Sequence, residues 1–96
     1  MLYYSNRAFV NIKLENYNSS IEDANIAINI DPNFYKSFYR RAEAYFSLNK
    51  FRESLKDYKF LKSIFPDIKD LDERIERIET LKKRADFFNA YTSKEI

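Results

Sequence analysis

The two prolines of this chain, Pro32 and Pro66, stand 34 residues apart, and the sequence around them repeats at the same interval. At that offset Tyr4 pairs with Phe38, Arg7 with Arg41, Ala8 with Ala42, Leu14 with Leu48, and Tyr17 with Phe51. The register continues through Ser20 and Ser54, Ile21 and Leu55, Asp23 and Asp57, and Ile30 and Ile64. A fixed period of this length marks a helix-turn-helix unit, which buries its apolar face only by stacking on the next unit. The expected fold is therefore all-α: a solenoid of two repeats, about 1–32 and 35–66, followed by a long C-terminal capping helix.

Composition agrees with helices and excludes much chemistry. The chain has no Gly, no His and no Cys. Tight β-hairpin turns, phosphate-cradling loops and dinucleotide-binding turns all lean on Gly, which lets backbone bend or approach a ligand without a side chain in the way. Without His or Cys, most zinc sites, thiol chemistry, disulfides and His-based acyl transfer are excluded too. No cofactor and no metal are expected. The 17 basic and 15 acidic residues leave a net charge of +2, a mixed surface rather than a nucleic-acid footprint. No apolar run approaches the roughly 20 residues a membrane span needs, and no signal peptide stands at the start. The expected setting is cytoplasmic, with the nucleus also open to such a module.

The helical period predicts five helices, at about 2–14, 19–30, 34–48, 51–64 and 68–90. Tyr4, Ala8 and Ile12 share one face of the first, and Ile21, Ala24, Ala27 and Ile28 one face of the second. Asn16 and Asn18, then Asn49 and Lys50, mark the turns inside the repeats. Asp31-Pro32-Asn33 and Phe65-Pro66-Asp67 punctuate the units, because Pro lacks an amide donor and disfavours helix in the residue before it. Asp67 is expected to cap the last helix, with Asp70, Asp72 and Glu73 favoured by its positive N-terminus. The 34-residue echo fails there, since Phe38 and Ala42 map onto Asp72 and Glu76. Instead Ile68, Leu71, Ile75, Ile78, Leu81, Ala85 and Phe88 recur at three and four, as in an amphipathic lid over the last repeat. A coiled-coil arm is the alternative for this segment, and residues 91–96 are expected to form a flexible tail.

Ala8 and Ala42, Tyr45, Tyr17 and Phe51, Ser20 and Ser54, Tyr58, and Pro32 and Pro66 together resemble the tetratricopeptide repeat. With Tyr4 and Phe38 they are the expected packing residues. The departures are Ala for Gly at Ala8 and Ala42, Ser for Ala at Ser20 and Ser54, and Asn11 for an aromatic residue. Two strings, residues 3–8 and 36–42, are similar to the second and third repeats of the carboxylate-clamp co-chaperones, and within that class to the regulatory domains of the serine/threonine protein phosphatase 5 family. The resemblance implies a groove for the acidic C-terminal tail of heat-shock protein 90 or 70, ending Glu-Glu-Val-Asp. It assigns the clamp to Asn6, Lys36 and Arg40. It also implies contact with a phosphatase catalytic domain that this chain lacks, and a preceding repeat that supplies the rest of the clamp. The chain is thus expected to be a piece of a longer protein.

The clamp chemistry is sound on its own terms: a terminal Asp presents two carboxylates, and charge-assisted donors hold them best. Lys36 and Arg40, four apart on one helix, can reach the same anion. The plainer reading of that pair is two solvated surface charges. Two other functions stay open. Residues 1–66 hold 10 basic against 7 acidic residues, and the 17 Tyr and Phe could stack on bases, but most of these rings sit at packing positions. An assembly scaffold without tail recognition is the other. Either way, Tyr4, Ala8 and Ile12 offer an apolar face through which the first helix is expected to self-associate.

Overall fold

Each segment that the apolar period marks as helical is helical in the computed structural model, which describes residues 2–95 and the side chains of 2–90. The helices are α1 (Leu2–Lys13), α2 (Tyr17–Ile30), α3 (Tyr35–Ser47), α4 (Phe51–Ile64) and α5 (Leu71–Glu95). α1 packs on α2 and α3 on α4 as the two hairpins, α2 meets α3 between them, α1 also reaches α3, and α5 lies on α4. The overall extents of 48 × 28 × 20 Å describe a short rod, as stacking along one axis requires.

Both hairpin turns are built the same way. Asn16 N–H donates to the Asn11 carbonyl at 2.8 Å and Glu15 N–H to Ile12 at 3.0 Å. Thirty-four residues on, Lys50 N–H donates to Tyr45 at 2.8 Å and Asn49 N–H to Phe46 at 2.9 Å. This pair of bonds closes a helix C-terminus through one left-handed residue, usually Gly. Here that residue is Glu15, at φ 61°, and Asn49, at φ 59°. The next helix starts at once: the Asn16 carbonyl already accepts from Ser20 N–H at 3.0 Å. That is why α2 begins at Tyr17 rather than at the expected residue 19.

The last helix differs from expectation at both ends. It begins at Leu71, not at 68, and Asp67 does not cap it. Ile68 N–H bonds the Phe65 carbonyl at 3.2 Å in a turn, Asp70 takes φ 70°, and the Asp70 carbonyl opens α5 by accepting from Arg74 N–H at 3.0 Å. Ile68 still packs against the core, but from that turn. At the other end the helix runs to Glu95, past the expected end near 90, since no Pro or Gly interrupts it. The rest of the tail expected over 91–96 lies outside the described residues.

Small residues set the spacing inside each hairpin. Ala8 and Ala42 are fully buried, which lets the paired backbones approach closely. The buried Ser20 hydroxyl donates to the Ala8 carbonyl at 2.8 Å, and Ser54 to the Ala42 carbonyl at 2.9 Å. Ser in place of Ala at these positions thus adds one bond between the helices of each repeat. The large buried side chains belong to the second repeat and the lid: Leu55, Tyr58 and Leu61 on α4 meet Leu71, Ile75 and Ile78 on α5. Tyr4, Phe38 and Tyr45 are half-buried, with the Phe38 ring 4.8 Å from that of Phe60. Pro32 and Pro66 do not pack; both are exposed in turns, where their part is to end the helices.

Candidate peptide-binding site

Asn6 lies on α1, and Lys36 and Arg40 lie one turn apart on α3. The link between the two helices is an aromatic ring. Arg40 Cζ sits 4.1 Å from the ring centroid of Phe9, close enough for a cation–π contact. Phe9 follows Asn6 by three residues, so the two share a helix face. Asn6, Phe9, Lys36 and Arg40 therefore border one surface across α1 and α3. Asn6 and Lys36 are exposed, and among the described residues neither side chain has a hydrogen-bond or ion-pair partner. Arg40 is more confined: at 22% exposure it donates from Nη1 to Glu43 Oε1 at 2.9 Å.

A second group of arginines is structural. Arg7 Nε and Nη2 donate to Asp23 at 3.0 and 2.6 Å, and Asn11 Nδ2 donates to the same carboxylate at 2.9 Å. In the next repeat Arg41 Nε and Nη2 both reach Asp57 at 2.8 Å, while its Nη1 donates to Asn25 Oδ1 at 2.9 Å. Each carboxylate is buried at the seam between the paired helices. The hydrogen bond to the carboxylate raises the pKa of Arg7 and of Arg41 further above the ordinary value. These bonds also explain Asn11, the departure at an aromatic position: its amide completes the Asp23 shell. The repeated Arg and Asp are visible in the sequence as echoes, but their partnership is not.

Beyond Arg40 the same face continues onto α5. Arg74 Cζ lies 5.1 Å from the Tyr39 ring centroid, and Arg77 Cζ lies 5.7 Å from that of Phe46. Arg74 Nη1 donates to the Tyr58 hydroxyl at 3.4 Å. Burial raises the pKa of both Tyr39 and Tyr58, so the two hydroxyls stay neutral in ordinary buffers. Phe9, Glu43, Arg74 and Arg77 are absent from the expected site. The signals were there: Glu43 follows Arg40 by three residues, and Arg74 follows it by the repeat length of 34. Among the described residues there is no cluster of His, Cys, Asp and Glu that could hold a metal, and no helix long and apolar enough to cross a membrane.

Paired helices at a 34-residue period, closed by small residues at each hairpin contact and by a lid helix, define a tetratricopeptide-repeat module, and the chain has that fold. No family model matches it. It is 32% identical over 94 residues to serine/threonine-protein phosphatase 5 of Rattus norvegicus, which covers 98% of this chain and 19% of that protein. It is 43% identical over 51 residues to the Hsp70/Hsp90 co-chaperone CNS1 of Saccharomyces cerevisiae, covering 53% of this chain and 13% of that one. A solved structure of the Hsp90 co-chaperone Cns1 from Saccharomyces cerevisiae matches with a TM-score of 0.82 and 30% identity, over 96% of this chain and 30% of that chain. The chain thus spans about a fifth of the length of the phosphatase it resembles.

Proposed function

We propose that this module binds the acidic C-terminal tail of heat-shock protein 90 or 70, of the Glu-Glu-Val-Asp type, through Asn6, Lys36 and Arg40. The observation that carries the reading is the shared surface across α1 and α3, where an exposed amide and an exposed ammonium, neither with a partner among the described residues, lie with a guanidinium. A terminal Asp offers carboxylates to all three, and charge-assisted bonds of this kind are the strong ones. The likeness to a co-chaperone adds support. Catalysis is not part of this role. The likeness to a phosphatase supports a place as the targeting and regulatory module of a larger serine/threonine phosphatase, in contact with its catalytic domain; the cytoplasm is the setting we propose for it.

The test is a fluorescence-anisotropy titration with a labelled peptide ending Glu-Glu-Val-Asp. Lys36→Ala and Arg40→Ala should each weaken binding by about tenfold, the order expected for one charge-assisted bond. Affinities indistinguishable from wild type would remove the clamp. Because the resemblance places the rest of the clamp in a preceding repeat, adding such a repeat should tighten binding. We also infer self-association through α1, but not through the expected face: Ala8 is fully buried and Tyr4 and Ile12 are half-buried inside the stack, whereas Tyr3 and Val10 on α1 and Leu14 just beyond it are 63%, 51% and 63% exposed and line one outer face on either side of Arg7.

A further inference from the structure

We infer that Arg74 of the lid helix is a second acid-binding position, taking the side chain of the glutamate two residues before the terminal Asp of the bound tail. The inference rests on the tail-binding reading above and deepens it. Asn6, Arg40 and Arg74 follow one another at the repeat length of 34, so the lid helix continues the row of polar groups that begins on α1. Arg40 Cζ and Arg74 Cζ lie 5.7 and 5.1 Å from the centroid of one ring, that of Tyr39, and are therefore at most 10.8 Å apart. An extended peptide advances about 3.3–3.6 Å per residue and turns alternate side chains to the same side. A carboxylate at Arg40 thus puts the side chain two residues upstream within reach of Arg74.

Arg74 is also free to accept a ligand. Arg7, Arg40 and Arg41 each hold a carboxylate, whereas among the described residues neither Arg74 nor its neighbour Arg77 makes an ion pair. Its guanidinium is steadied instead by the Tyr39 ring and the Tyr58 hydroxyl, which leaves most of its donors available. Asp70 and Glu73 border the same surface depression, and Arg74 feels the charge of Glu43 on α3. Selection there comes from the fork geometry of one guanidinium on one carboxylate rather than from net positive charge.

The experiment is a double-mutant cycle on the whole chain, read by anisotropy with two labelled peptides, one ending Glu-Glu-Val-Asp and one ending Glu-Gln-Val-Asp. Arg74→Gln should weaken the first by about fivefold and leave the second unchanged, as for a partly exposed ion pair. Arg74→Lys should recover only part of the loss, since an ammonium lacks the fork. An equal loss for both peptides, or no loss for either, overturns the inference. A folding defect would weaken both peptides alike and so falls among the outcomes that overturn it. If wild type binds neither peptide, the clamp reading fails with it; if Arg40→Ala abolishes binding while Arg74→Gln shows no peptide dependence, the clamp stands and only the lid position falls.

Discussion

Glu43 holds the arginine on which the proposed clamp depends. Its carboxylate accepts from Arg40 Nη1 at 2.9 Å, and both side chains are only about a fifth exposed. A tail carboxylate must therefore share or displace Glu43 before it can use the guanidinium fully, and that exchange opposes binding. Glu43→Gln removes the competing charge while keeping the shape and a weak acceptor. It should tighten the Glu-Glu-Val-Asp peptide by about threefold, the scale of a partly solvated ion pair. The same titration checks it. Weaker binding would mean that Glu43 holds Arg40 in place for the ligand instead of competing with it. Arg41, beside it in sequence, takes no part in such an exchange: its fork is committed to the buried Asp57 and its third donor to Asn25 of the preceding repeat.

At the scale of the helices, the turns carry a strain that the composition conceals. Two hairpins close through left-handed residues with side chains, Glu15 and Asn49, in a chain without Gly. The left-handed region costs a residue with a Cβ roughly 1–2 kcal/mol, and Asn tolerates it better than Glu. Glu15→Gly should therefore raise stability by about 1 kcal/mol. Asn49→Gly should gain less. Urea midpoints of the two variants decide the matter, and equal gains or none would contradict it. The helices themselves were legible because the apolar period and the 34-residue echo report on each segment separately. The start of α5 was not, since Asp67 has the chemistry of a cap but the chain first spends residues 66–70 on a turn. The candidate site was half legible for a similar reason. Residue types at Asn6, Lys36 and Arg40 can be read along the chain, but the contact of Arg40 with Phe9 exists only once α1 and α3 lie side by side. The pairing of Arg7 with Asp23 likewise joins two helices and leaves no trace in the period of either.

Across the whole molecule, apolar burial rises from one end to the other. The first repeat buries only small apolar residues, Ala8, Ala24 and Ala27, while the second repeat and lid bury Leu55, Tyr58, Leu61, Leu71, Ile75 and Ile78. A fully buried large side chain contributes about 1.5–3 kcal/mol, and Ala far less. In a stack whose units contact only their neighbours, stability follows this gradient, so α1 and α2 should open well before α4 and the first half of α5. The outer stripe of Tyr3, Val10 and Leu14 sits on that weak end, and covering it should stabilise the same helices. Hydrogen exchange followed by mass spectrometry at two protein concentrations tests both points together. In dilute solution the amides of α1 and α2 should exchange fastest; at high concentration α1 should gain protection, and the double variant Val10→Glu with Leu14→Lys should lose that gain. Uniform protection along the chain would refute the gradient, and protection of α1 independent of concentration would refute self-association through its outer face.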